Sequence, residues 1–76
     1  MNEFNGLIVS TQLSNLGTTL HKYGYIDINT TDGKQLKFKI GADTEYDTLE
    51  IGETVRIRSG DAGWGGILAA KNVTKL

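Results

Sequence analysis

The chemistry open to this chain rests on a few aromatic and basic residues at short spacing. Tyr23 and Tyr25 flank Gly24 in "HKYGYIDIN", with His21 and Lys22 just before them, and Lys37 and Lys39 repeat the same spacing further along. Side chains two residues apart in an extended segment share one side of a strand. Exposed rings in that arrangement stack on nucleobases, at about 1–3 kcal/mol per base and with little regard to sequence. Ammonium groups beside them suit phosphates, which points to Lys22, Lys37 and Lys39. The plainer reading is an ordinary strand, because tyrosine pairs well across strands and lysine keeps a sheet edge soluble.

Four other residues are candidates: Trp64, His21, Arg56 and Arg58. Trp64 is the only tryptophan, and glycines neighbour it in "SGDAGWGGIL". It reads as a loop residue that either closes over a base or folds back to plug the end of a barrel. His21 offers a ring for stacking or hydrogen bonding to a nucleotide. Arg56 and Arg58 point outward from another segment, with nothing in the sequence to set them on the tyrosine side.

Catalysis has little to stand on. There is one histidine and no cysteine, and no Gly-x-Ser-x-Gly, phosphate-loop or zinc pattern occurs. The acidic "DTEYD" from Asp43 lacks the glycine and glutamate of a calcium loop, having Thr48 and Thr54 at those places. The expectation is a binding protein, not an enzyme, with no cofactor and no metal.

Composition narrows the class. Seventy-six residues make one domain, residues 1–76, and a chain this short buries only about 60% of its unfolded surface. The absence of cysteine excludes a disulfide framework and fits a reducing, cytoplasmic setting. No apolar run approaches the ~20 residues of a membrane helix, and the opening "MNEFNGLIVSTQ" lacks the basic start of a signal peptide. The net charge of −1 does not advertise a polyanion binder, but local placement matters more than the sum. Asp43, Glu45, Asp47, Glu50 and Glu53 cluster between Gly41 and Glu53 with no base among them. The bases lie elsewhere.

The elements that must position these residues are strands. Glycines, β-branched residues and short alternating runs predict an all-β fold with strands near 6–14, 23–30, 34–40, 53–59 and 66–75. The first is expected to set Leu7, Val9, Thr11 and Leu13 on one face; the fourth turns Val55 and Ile57 inward. In the fifth, alternation assigns no face to Lys71 or Asn72. "GADTEYDTLEIG" is expected to be a loop with one helical turn, capped by Asp43 or Thr44.

The second and third strands form a hairpin whose register can be derived. A two-residue Asp32-Gly33 turn would set Asn29 opposite Leu36, a polar residue against a core one. A three-residue loop, Thr31-Asp32-Gly33 with Gly33 in the left-handed region, instead pairs Ile28 with Leu36 and Ile26 with Phe38 inside. Outside, it pairs Asp27 with Lys37 and Tyr25 with Lys39. Five short strands must close or cover their edges. The fold class expected is therefore a small five-stranded antiparallel Greek-key barrel of the OB type, with an SH3-like barrel as the alternative.

At this point the residues resemble a known family. "KYGYIDI" is similar to the first RNA-binding motif of cold-shock domains, a Lys-Gly-aromatic-Gly-aromatic-Ile run, with Lys22, Tyr23, Gly24, Tyr25 and Ile26 matching and the first glycine absent. "QLKFKI" lies where those domains carry their second motif, and "NGLIVS", "LEIGETVRIRSG" and "AAKNVTKL" resemble their first, fourth and final strands. Departures are specific. The first strand has no aromatic, extra residues occur within "LSNLGTTLH", and Lys37 and Lys39 occupy places where the family has Phe and His. The resemblance implies an OB-type barrel binding single-stranded RNA or DNA with low sequence specificity. The alternative is a protein-interaction or structural module.

Overall fold

The computed structural model describes residues 2–15, 17, 21–62 and 67–76, with 61 and 62 by backbone alone. Six strands follow in order: β1 (Asn2–Asn15), β2 (Lys22–Thr30), β3 (Gln35–Ile40), β4 (Glu45–Tyr46), β5 (Thr54–Ala62) and β6 (Leu68–Lys75). Five of them close a barrel in the order β3-β2-β1-β5-β6, with β4 appended to β6. All barrel pairings are antiparallel except the closing seam, where β3 meets β6 in parallel through Phe38–Leu68 and Lys39–Ala69. The expected five-stranded all-β barrel forms, and it is mixed instead of wholly antiparallel. The closed mixed barrel, with β1 between β2 and β5, is consistent with a small OB or SH3-like barrel.

The hairpin register is the derived one. Ile26 pairs with Phe38, Ile28 with Leu36, Asp27 with Lys37 and Tyr25 with Lys39. Thr30 N–H donates to Lys34 O at 2.7 Å, closing a loop over Thr31, Asp32 and Gly33. Gly33 has φ 88°, a conformation that side chains disfavour and glycine adopts freely.

The first strand departs from expectation. Its pairing with β2 shifts between Ile8 and Ser10, leaving Val9 as an extra residue. Such a bulge reverses which parity faces inward. Before it, Ile8 is fully buried while Leu7 is 40% exposed; after it, Thr11 and Leu13 oppose Ile26 and Gly24. The four residues expected on one face are thus divided. The bulge lets one long strand pair with β5 through Asn2–Leu7 and with β2 through Gly6–Asn15.

The core comprises Ile8, Ile26, Ile28, Phe38, Ile40, Leu49, Val55, Ile57, Ala70 and Val73. Burying side chains of the larger kinds contributes about 1.5–3 kcal/mol each. Phe4 packs on Phe38 with ring centroids 5.5 Å apart. The 41–53 segment forms no helical turn. Thr44 is buried and closes a turn, its N–H donating to Gly41 O at 3.1 Å, and β4 then runs parallel to β6 through Glu45–Asn72 and Tyr46–Val73. Among the described residues no helix is long and apolar enough to cross a membrane.

Candidate nucleic-acid interface

The outer face of β1, β2 and β3 is built in rows, because directly paired residues share a side of the sheet. One row runs Gln12–Tyr25–Lys39, the next Ser10–Asp27–Lys37, and Ser14 stands beside Tyr23. The two tyrosines face away from the core: Tyr23 is 43% exposed and Tyr25 is half-buried. Gly24 between them serves a structural end. Its φ is 136°, and a Cβ there would overlap the carbonyl oxygen of Gln12. A glycine is therefore what lets β1 lie directly against β2 under the rings.

The lysines differ from the simplest charge pairing. Asp27 accepts a hydrogen bond from Ser10 Oγ at 3.0 Å, and no ion pair joins it to Lys37 among the described residues. Lys37 instead reaches diagonally, its Nζ 5.9 Å from the centroid of the Tyr25 ring. Lys39 is exposed. With Tyr23, Tyr25, Gly41 and Ala42 it lines a groove of about 460 Å³.

The remaining candidates are distributed otherwise. Lys22 has the opposite parity from the tyrosines; its Nζ donates to Asn15 Oδ1 at 3.2 Å, and it borders a separate groove with Leu13, Leu49 and Ile51. His21 Nε2 lies 3.0 Å from Gly41 O, and its ring sits against Tyr46 with centroids 5.3 Å apart. Tyr46 in turn accepts a hydrogen bond from Lys22 N–H at 2.9 Å. His21 and Tyr46 together fasten the start of β2 to the 41–46 segment. Trp64 lies outside the described residues.

Arg56 and Arg58 sit on a different outer face, where Arg56 Nε donates to Asn5 Oδ1 at 3.3 Å and Arg58 pairs with Glu3 at 3.5 Å. The acidic segment runs along β6: Asp47 Oδ2 accepts from Lys75 N–H at 3.2 Å, and Glu53 pairs with Lys75 at 3.6 Å.

No family model, curated protein or solved structure matches the chain. What the arrangement can do is therefore read from its own geometry. Gln12 and Ser10 join the tyrosine face; alternation already set them opposite Thr11 and Leu13, and what the sequence concealed was their pairing with Tyr25 and Asp27, since the Val9 bulge shifts the register of β1. Thr44 holds Gly41, which lines the groove, and Tyr46 packs against His21, which contacts the same glycine. Their signal, a hydroxyl and an aromatic within an acidic loop, points equally to capping and to a solvated turn.

Proposed function

We propose that this chain binds single-stranded nucleic acid, RNA or DNA, with low sequence specificity, holding it unpaired and performing no chemistry on it. The observation that carries the reading is the shared outer face of Tyr23 and Tyr25 with Lys37 and Lys39, neither lysine joined to a carboxylate among the described residues. The tyrosines are the stacking plates and the lysines the phosphate contacts. Residues two apart on a strand are separated by about 6.8 Å, twice the ~3.4 Å between neighbouring bases of a duplex strand. Successive bases reach both rings only when unstacked from each other, which favours a single strand over a duplex.

The resemblance of "KYGYIDI" to a cold-shock RNA-binding motif supports the same reading, as does the OB-type strand order. Lys37 and Lys39, standing where that family has Phe and His, shift the balance from stacking toward charge. A cysteine-free chain of this kind suits a reducing cytosol.

The test is a titration with a short oligo-pyrimidine, following amide shifts and Trp64 fluorescence, repeated with Tyr23→Ala and Tyr25→Ala. Expected are shifts in β2 and β3 and weaker binding in both variants, by about 1–3 kcal/mol for each lost stack. Absence of any shift at high oligonucleotide concentration would end the reading. Affinity that does not fall with added salt would remove the phosphate contacts assigned to Lys37 and Lys39.

A further inference from the structure

The eight lysines and arginines divide by what they touch. Lys22, Lys34, Arg56, Arg58 and Lys75 each have a side-chain hydrogen bond or an ion pair. Lys37, Lys39 and Lys71 have neither among the described residues; Lys37 has only the Tyr25 ring. Two of these three are already on the tyrosine face.

Lys71 stands across the barrel's closing seam. The β5–β6 pairing passes from Arg58–Asn72 to Ser59–Ala70 with a shift between them, so Lys71 is the extra residue of a bulge. Bulges re-aim a side chain, and the Lys71 side chain is exposed, its Cε running close beside Gly60. A second groove of about 170 Å³ lies along this seam, bordered by Lys39, Ala42, Asp43, Ala69 and Lys71. It shares Lys39, Gly41 and Ala42 with the tyrosine groove. The two grooves therefore adjoin at Lys39, whose strand partner across the seam is Ala69.

We infer that the two adjoining grooves act as one channel, along which a bound strand leaves the tyrosines, and that Lys71 is a further phosphate contact. The inference rests on the nucleic-acid reading given above. Asp43 is the carboxylate bordering the same groove, so it opposes the phosphate that Lys71 attracts. A very short ligand occupies the rings alone, and a longer one also reaches Lys71.

The experiment measures affinity for a pyrimidine dinucleotide and a hexanucleotide across a series of salt concentrations, with the wild-type chain, Lys71→Gln, Asp43→Asn and, as a control at a paired lysine, Lys75→Gln. For the hexanucleotide, Lys71→Gln is expected to weaken binding by about three- to tenfold and to lower the slope of log K against log salt by about 0.7, the loss of one phosphate contact on a single strand. Asp43→Asn is expected to tighten it. For the dinucleotide, both variants are expected to match wild type. Hexanucleotide affinity and slope unchanged in Lys71→Gln, while Tyr25→Ala still weakens binding, would overturn the channel and leave the tyrosine site standing. A wild-type chain that binds neither oligonucleotide would overturn the underlying reading as well.

Discussion

Gly24 and Gln12 meet backbone to backbone: a side chain on Gly24 would run into the Gln12 carbonyl oxygen. The glycine between the two tyrosines is thus what holds β1 against the strand that carries them. Gly24→Ala suffers twice, from the overlap and from φ 136°, and is expected to cost about 3 kcal/mol or more. Gly33→Ala has only its φ of 88° to contend with, since nothing lies within 4 Å of a Cβ there; about 1 kcal/mol is expected. Chemical denaturation of the two variants measures the difference, and equal losses would mean that β1 does not approach so closely.

The position of Lys37 over Tyr25 predicts a small coupling in the free protein. A double-mutant cycle with Tyr25→Leu and Lys37→Met is expected to show an interaction of about 0.5–1 kcal/mol, the range for an exposed cation over a ring. A cycle of Lys37 with Asp27→Asn is expected to show less, because Asp27 is engaged by Ser10. The opposite order would mean that the lysine favours the carboxylate in solution.

Thr44 joins the groove wall to the barrel. Its Oγ1 donates to Ala70 O at 2.7 Å and accepts from Gly41 N–H at 3.0 Å. Thr44→Val keeps the shape and removes both bonds, leaving a buried carbonyl without that donor. A loss of about 2 kcal/mol is expected, with faster amide exchange at Gly41 and along β4. Thr44→Ser retains the hydroxyl and is expected to recover most of the exchange protection.

Acid should loosen the hairpin loop. A hydrogen bond from the Thr30 hydroxyl, with help from the Lys34 charge, holds the Asp32 carboxyl below its usual pKa against a weaker opposing effect of burial. A carboxyl with a depressed folded pKa contributes stability that is present above the unfolded value, about 3.9, and is lost as pH falls through the folded value. Denaturation midpoints are therefore expected to fall as pH drops below the unfolded carboxyl value, and the fall should be shallower in Asp32→Asn. Identical profiles for the two proteins would show that the loop bond forms no part of the acid response.

The central hairpin was legible because its constraints are local. Alternation in "YGYIDIN" and "KQLKFKI" defines two sides, and a mismatch of Asn29 with Leu36 excludes the two-residue turn. The loop length, the pairing and the outward tyrosines follow from the eighteen consecutive residues 23–40 and the pleat of a strand. The inward set of β5, Val55 and Ile57, is legible for the same reason.

What the sequence by itself determined is the all-β class, the hairpin register and the side on which its tyrosines and lysines stand. Tertiary structure alone decided the bulge at Val9, which buries Ile8 and exposes Leu7, and the bulge at Lys71, whose side chain runs beside Gly60 of β5. It also decided the placement of Thr44 and Tyr46 on β6. The physical reason is common to all of them. A bulge relieves the strain of one strand pairing with two partners distant in the chain, and a loop residue finds its hydrogen bonds only after those strands close. Period two carries no record of either event.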